Sequence, residues 1–283
     1  MAQPGADTLS RFDRSLIMSW LARASREAVR LIQPLVPHES RGVTILTYHL
    51  VGAGTQSVVD VPIDVFRAQL GELCDFARVY SLAQAVRHLE SGADGSRPVV
   101  VVTFDDGFDN FRTRAWPLLS EFEVPCTFYV PVGFVEGTSG TPLRGAEGLR
   151  PIEWNALNEL ASEPLLTIGS HGWRHQDLRL LGVDELRRDL RQSRECLQDR
   201  TGAPVEHFCY PNAKWSRAVE NEVRAVYRTA VVAGGRRNVA GRFHPLRLGR
   251  IPVRRDMPVR LGPVVRSTVW LEEWAASHAR ALM

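Results

Sequence analysis

The stretch VVVVTFDDG, residues 99–107, decides how this sequence folds. Four consecutive valines are typical of a strand that is buried on both faces, as in the parallel sheet of an α/β protein. This strand ends in two adjacent carboxylates, Asp105 and Asp106, at the edge of the core. Removing neighbouring carboxylates from water costs free energy unless a cation, a proton or a hydrogen-bond network compensates. The pair therefore either caps a helix or lies beside a positive group.

Strand patterns and helix patterns alternate on both sides of this stretch. Strands are predicted over 43–48, 126–130, 165–171, 207–211, 229–233 and 250–253, and helices over 63–77, 81–89, 110–122, 152–161, 183–200 and 216–227. This alternation predicts an α/β fold in which a parallel sheet or barrel is connected by right-handed crossovers. The simplest division is an N-terminal helical extension over 1–40 and one catalytic domain over 41–283. In such folds the carboxyl ends of the strands carry the chemistry.

The composition and the net charge narrow the classes of function that this protein could have. Hydrophobic residues make up 44% of the 283 residues, which is ordinary for a globular protein, and a net charge of +3 is too small to indicate a nucleic-acid partner. Four widely spaced cysteines without a CxxC pair indicate neither a zinc knuckle nor a disulfide framework. Because the first 15 residues lack the pattern of a secretory signal, we expect a cytoplasmic protein.

A basic amphipathic helix is predicted within residues 9–35, with Phe12, Leu16 and Trp20 on its apolar face. Such a helix either packs on its own domain or lies on a membrane surface, which would put the protein at the inner membrane face. The sequence contains no apolar run of the length that a spanning helix requires.

A second polar group, SHGWRHQ at residues 170–176, directly follows a predicted strand. The spacing of four between His171 and His175 would put both imidazoles on one side of a helical turn, close enough to share a metal ion. Two histidines and one aspartate leave coordination positions open for water and substrate. The second aspartate is then free to take a proton from water. A third group, FCYPNA at residues 208–213, could offer a backbone N–H to an oxyanion.

The motifs TFDDG, SHxxxH and FxYP, in this order on successive predicted strands, resemble those of the polysaccharide deacetylase family. This is the NodB homology family, or carbohydrate esterase family 4, and the resemblance covers roughly residues 43–253. It implies a distorted (β/α) barrel with fewer than eight strands. It also implies removal of an N-acetyl group from an amino sugar in a glycan, a glycolipid or a related small glycoside. The alternatives are a non-carbohydrate amide substrate and a catalytically weak glycan-binding protein.

The resemblance also implies roles for individual residues. Asp105 matches the catalytic base of the family, and the backbone of Asn212 matches its oxyanion donor. The residues that match its metal ligands are Asp106, His171 and His175. One divalent ion is implied, usually zinc, with cobalt, manganese, nickel or iron in some members.

Two departures from the family pattern bear on the mechanism. Cys209 stands where many members have an arginine that tethers the catalytic aspartate, and LGRIPV stands where many have a Leu-x-His strand that supplies the general acid. We hypothesise that Arg250, on that last strand, tethers Asp105 instead, because a guanidinium pairs well with a carboxylate. Two histidines are candidates for the general acid, His244 and His49.

Three further features are open to two interpretations each. Trp173 and Trp215 either stack on a sugar face or pack against the protein. The glycine-rich loop over 133–148 either covers the site or is disordered. Asp109 or Asn110 either caps the following helix, which we favour, or contacts substrate.

Overall fold

The computed structural model describes residues 42–93, 95–234 and 238–266. The predicted N-terminal helix lies outside these residues, and the division at residue 40 stays a prediction, as does the cytoplasmic location. None of the helices in the described ranges has both the length and the apolar composition that crossing a bilayer requires.

The chain alternates between strands and helices as the sequence predicts. The strands are β1 (Gly42–Tyr48), β2 (Leu50–Val51), β3 (Asp60–Val61), β4 (Arg78–Val79), β5 (Val99–Phe104), β6 (Cys126–Val130), β7 (Leu166–Ser170), β8 (His207–Cys209), β9 (Thr229–Ala233), β10 (Asn238–Val239) and β11 (Leu248–Pro252). The helices are α1 (Ile63–Phe76), α2 (Leu82–Ser91), α3 (Trp116–Glu121), α4 (Val132–Val135), α5 (Trp154–Ala161), α6 (Val183–Thr201), α7 (Arg217–Arg224) and α8 (Gly262–Arg266).

Within the described residues, seven parallel strands close into a barrel in the order β1, β11, β9, β8, β7, β6 and β5. The barrel closes where β5 pairs with β1, from Val99 opposite Val43 to Phe104 opposite Tyr48. β4 extends the sheet beside β5, β10 runs antiparallel to β1, and β2 pairs with β3 in a small separate sheet. The predicted distorted barrel with fewer than eight strands is confirmed.

The valines of β5 show how the barrel is packed. Val99 and Val101 belong to an inner apolar cluster, whereas Val100 and Val102 face the surrounding helices. This alternation follows from the period of two in a strand. The inner cluster also contains residues of α2, which covers the amino end of the barrel. The barrel interior is therefore largely apolar at its amino end, apart from the pair of His207 and Thr229, and the two aspartates follow β5 at the carboxyl end.

The predicted helix over 110–122 has a different start. A π-helical turn covers Phe111–Ala115, and regular α-helix begins only at Trp116. Pro117 has no N–H to donate to the preceding turn, which explains the wide turn before it. Asn110 is also not the expected cap, because its side chain instead donates to the Val51 carbonyl and accepts from the Val51 N–H.

The loop over 133–148 is packed against the barrel opening, which is the end of the barrel at the carboxyl ends of its strands. Phe108, directly after the aspartate pair, forms a small apolar cluster with Leu50, Phe134 and Ala146. The Phe108 and Phe134 rings meet edge to face at 5.2 Å. These contacts hold the loop beside the aspartate pair, and its role in covering the site stays a prediction.

Candidate active site

The two aspartates are positioned by the end of β5. Asp105 continues the alternation of Val101 and Thr103, so its carboxylate faces the barrel interior, and its N–H donates to the Tyr48 carbonyl at 3.0 Å. Asp106 and Gly107 both have left-handed backbones, with φ of 78° and 69°. A side chain at Gly107 would lie 3.1 Å from Pro131, so glycine is required there for space as well as for conformation. This abrupt turn leaves both carboxylates at the barrel opening.

Asp106 meets two imidazoles across the opening. Its Oδ1 lies 3.5 Å from the Nε2 of His171 and 3.5 Å from the Nε2 of His175, and the two Nε2 atoms are 3.1 Å apart. A point equidistant from three atoms with these separations lies about 2 Å from each, which is the length of a zinc–nitrogen or zinc–oxygen bond. The three predicted ligands are thus brought together at metal-binding distances.

The ring orientation of His171 suits this role. Its Nδ1 lies 2.9 Å from the Cys209 carbonyl oxygen, which can only accept, so Nδ1 carries the proton and donates. Nε2 is then the nitrogen that faces Asp106 and His175 and that would coordinate an ion. Burial lowers the pKa of His175 to about 4, so its imidazole is neutral and also able to coordinate. A backbone contact that fixes the tautomer is a common feature of metal-binding histidines.

The loop between the two histidines differs from the predicted helical turn. Gly172 and His175 have left-handed backbones, with φ of 74° and 50°. The loop is held instead by Asp189 of α6, whose Oδ1 accepts from the Trp173 N–H at 3.0 Å and whose carboxylate also accepts from the Arg174 N–H. The spacing of four indicated the right pair of histidines, but the contact depends on a carboxylate from another element.

The charges at the opening fit a divalent cation. Asp105 and Asp106 are both almost fully buried, and the nearest guanidinium, that of Arg250, binds only Asp105. In the described ranges the ion-pair partners of Asp106 are the two imidazoles alone. Burial alone would lower the pKa of His171, but its neighbours Cys209 and Asp106 raise it well above its usual range, so without an ion this imidazole is protonated and pairs with Asp106. A divalent cation between the three ligands would take the place of that proton.

Arg250 forms a two-point pair with Asp105. Its Nη1 donates to Oδ1 and its Nη2 to Oδ2, each at 2.7 Å. Nη1 also donates to the hydroxyls of Thr47 at 2.9 Å and Thr103 at 3.0 Å, which face the barrel interior from β1 and β5. Burial alone would raise the pKa of Asp105, but Arg250 more than offsets it and holds that pKa well below its usual range. The contact that the tether hypothesis requires is present, and its effect on turnover stays a prediction.

The two candidates for the general acid occupy different places. His49 follows β1 at the carboxyl end, and its Nε2 lies 3.9 Å from Asp105 Oδ2. His244 precedes β11, at the amino end of that strand, and its described ion pair is with Glu220 at 3.7 Å. A residue before a parallel strand lies at the opposite end of the barrel from residues that follow one. The proposed role of His244 as general acid is therefore not supported by its position.

The remaining predicted residues are Asn212 of the third motif and the two tryptophans. Asn212 has a left-handed backbone with φ of 55°, and its side chain donates to the His175 carbonyl at 3.5 Å. Its role as oxyanion donor stays a prediction. The Trp173 ring packs against the main apolar cluster, and the Trp215 ring is covered by the Arg247 guanidinium at 4.6 Å. Both rings thus have protein partners.

Sequence reasoning missed the residues that surround Arg250. Thr47, Thr103 and Tyr129 all face the barrel interior, and the Tyr129 ring centroid lies 5.5 Å from the guanidinium carbon. For Thr47 and Thr103 the only available signal was that each is a polar residue at an odd position in a strand whose other odd positions are apolar. Asp189 gave no local signal, because its partners are backbone groups of a distant loop.

Comparison with known proteins places this geometry in a family. Residues 92–231 match the family model described as polysaccharide deacetylase. The chain belongs to the polysaccharide deacetylase family. The matched segment includes the aspartate pair, both histidines and the third motif, so all three motifs of this family member lie within it.

A curated relative of this family member is the poly-beta-1,6-N-acetyl-D-glucosamine N-deacetylase of Escherichia coli K12. It is 29% identical over 163 residues, which cover 55% of this chain and 24% of the relative. The protein of the same name from Escherichia coli O157:H7 is 28% identical over the same length. The chain thus spans about a quarter of the length of these two relatives.

Solved structures support the fold of this family member. The Streptococcus pyogenes deacetylase PplD in complex with acetate superimposes with a TM-score of 0.70 at 20% identity, covering 81% of this chain and 99% of that chain. IcaB from Ammonifex degensii superimposes with a TM-score of 0.66 at 22% identity, covering 85% of this chain and all of that one. At these identities the likeness establishes the barrel alone.

Proposed function

We propose that this chain is a metal-dependent N-deacetylase that hydrolyses the N-acetyl group of an amino sugar in a glycan or glycolipid. The observation that carries the proposal is the pair of buried carboxylates, of which Asp105 is held by Arg250 and Asp106 faces two imidazoles. One carboxylate is thus placed to bind a cation and the other to accept a proton. Family membership and the N-acetylglucosamine polymer in the name of the curated relative support the choice of substrate class.

Asp106, His171 and His175 are the residues that would hold a divalent ion, with zinc as the first choice. When bound, such an ion polarises the amide carbonyl and lowers the pKa of water at the site. The chain itself contributes two imidazole nitrogens and one carboxylate oxygen, a set that leaves positions open for substrate. Cobalt, manganese, nickel and iron are the other candidate ions.

Asp105 would act as the general base. Its carboxylate accepts the proton of the water that attacks the amide carbon, and the bidentate pair with Arg250 keeps it ionised and fixed in orientation. The C–N bond then breaks, giving acetate and a free amine. The amine nitrogen takes up a proton as it leaves.

His49 is the better candidate for the donor of that proton. Its Nε2 is 3.9 Å from Asp105 Oδ2, and its side chain is 17% exposed, so it borders both the base and the solvent-accessible opening. Its proposed role follows from this position. The backbone N–H of Asn212, after the third motif, is proposed to donate to the developing oxyanion.

The first experiment combines metal analysis with acetate release. We expect about one equivalent of divalent metal in the wild type and in Asp105→Asn, with acetate released from β-1,6-linked N-acetylglucosamine oligomers by the wild type only. Asp109→Asn is the matched control, because Asp109 is four residues away but pairs with Arg112 at the surface.

Other outcomes would change the proposal. Metal binding with tight glycan binding but no acetate would indicate a glycan-binding protein with a weakened site. If acetate is released from a non-carbohydrate amide but not from the sugars, the proposed reaction stands and the proposed substrate class is wrong. A wild type that binds no metal after reconstitution would contradict the assignment of His171 and His175.

A further inference from the structure

Cys209 lies at the centre of the catalytic network although the proposed reaction does not use it. Its Sγ is 3.0 Å from Arg250 Nη2, 3.6 Å from Asp105 Oδ2 and 3.8 Å from His171 Nε2. It ends β8 on the inner side of the barrel and is fully buried. One small side chain therefore contacts the base, its tether and a metal ligand.

The sulfur provides the second hydrogen-bond partner of Arg250 Nη2. Nη2 carries two hydrogens, of which one is directed to Asp105 Oδ2 at 2.7 Å and the other to Cys209 Sγ. The Cys209 thiol accepts from the guanidinium and donates towards Asp105 Oδ2. Without the sulfur, a second N–H of this buried cation, in addition to that of Nε, would have no partner among the described residues, which costs free energy.

The space around Arg250 is also limited. The Tyr129 ring approaches the guanidinium from β6 and lies so close to Gly169 that a Cβ there would be 2.5 Å from the ring. Tyr129 therefore has no room to move away from Arg250 towards β7. A side chain larger than cysteine at position 209 would occupy the space that the guanidinium needs to reach Asp105.

We infer that Cys209 is a positioning residue: its small thiol accepts from Arg250 and thereby fixes the orientation of the Asp105 carboxylate. The inference deepens the proposed function and rests on it, because the effect is on the base of that reaction. Cys209 itself forms no bond to substrate and changes no oxidation state.

The first test compares Cys209→Ala with Cys209→Ser. We expect kcat to fall about tenfold in Cys209→Ala, with KM within about twofold and metal content unchanged, because a hydrogen bond to a charged group is lost. Cys209→Ser restores an acceptor in the same space, so its kcat should recover to within about threefold of wild type. Cys126→Ala is the matched control, since Cys126 is a buried cysteine on the outer side of β6. Equal kcat for Cys209→Ala and the wild type would overturn the inference.

The second test repeats these changes in an Arg250→Lys background. Lysine keeps the charge but has one side-chain nitrogen in place of the three of arginine, so the contact with Sγ is lost and Cys209→Ala should then change kcat no more than Cys126→Ala does. The same double-mutant cycle is also measured on the free energy of unfolding in urea, because that measurement does not require catalytic activity. If the wild type releases no acetate, the proposed function fails, and only the unfolding cycle tests the contact between Cys209 and Arg250. Non-additive changes in the free energy of unfolding would support that contact, and additive changes would overturn it.

Discussion

The guanidinium of Arg250 and the carboxylate of Asp105 form a two-point ion pair in the barrel interior, although 145 residues separate them in the chain. Both nitrogen–oxygen distances are 2.7 Å, and both side chains are almost fully buried. The barrel order explains the contact, because β11 and β5 flank β1 on its two sides. An arginine on the last strand can thus reach the aspartate that follows β5.

Replacing Arg250 should therefore impair the base. We expect Arg250→Lys to lower kcat by about 10- to 100-fold while metal content stays the same, because lysine cannot make both hydrogen bonds. Arg112→Lys, which changes a surface pair with Asp109, is the control and should leave kcat unchanged. Full turnover in Arg250→Lys and in Arg250→Ala would remove the tether from the mechanism.

Metal binding should depend on Asp106, His171 and His175 and not on Asp105. We expect Asp106→Asn and His175→Ala to retain less than about a tenth of the metal of the wild type, since each removes one of three protein ligands. Dialysis against a chelator should abolish acetate release, and added zinc should restore it. Metal content is measured by elemental analysis. Asp105→Asn with as little metal as Asp106→Asn would show that the two aspartates have been assigned the wrong way round.

Asp189 should control metal affinity from outside the ligand set. Its carboxylate accepts backbone N–H groups of Trp173 and Arg174, and an asparagine can accept through only one of its two side-chain atoms. We expect Asp189→Asn to weaken metal binding by about 10- to 100-fold, as is typical when a group that orients a ligand is lost. Titration with a chromophoric chelator measures the affinity. Asp184→Asn, an exposed position at the start of α6, is the control.

His207 should make the fold sensitive to acid. This histidine is buried inside the barrel beside Thr229, and burial lowers its pKa to about 4. In the unfolded chain its pKa is about 6.5, so between these values the unfolded state binds the proton and the folded state does not. The free energy of unfolding should thus decrease as pH falls from about 6.5 to 4, by up to about 1.4 kcal/mol per pH unit from this residue. Urea unfolding at several pH values should show a shallower decrease in His207→Gln.

Gly169 should tolerate no side chain. A Cβ would lie 2.5 Å from two ring atoms of Tyr129, and that ring is fully buried. We expect Gly169→Ala to lower the free energy of unfolding by about 1–3 kcal/mol, because overpacking forces the ring or the strand to shift. Gly148→Ala is the control, since no atom lies within 4 Å of its Cβ position. Equal thermal unfolding midpoints for the two variants would contradict this account of the barrel interior.

Much of the candidate site could be predicted because its residues come directly after strands. The four valines of β5 identify a buried strand, and the residues that follow such strands meet at one end of a parallel barrel. Asp105, Asp106 and His171 are therefore predictable from local pattern and order in the chain. His244 shows the limit of this reasoning, because it precedes its strand and so lies at the other end.

The contacts between distant segments could not be predicted in the same way. The histidine spacing suggested a helical turn, but two left-handed residues and the carboxylate of Asp189 bring the rings together. In the sequence Cys209 is only a departure from the family pattern, yet its sulfur contacts three groups of the site. None of these partners is near in sequence.

The sequence by itself determined the order of strands and helices, the end of the barrel that carries the chemistry, and four polar residues at that end. The hydrophobic periodicity of each segment and the order of the segments along the chain are local properties, so both can be recognised in the sequence. Only the tertiary structure decided that Arg250 pairs with Asp105, that His244 lies elsewhere, and that Cys209 and Asp189 hold the site in place. Those contacts depend on which strands become neighbours when the barrel closes at β1 and β5, and closure is a property of the whole chain.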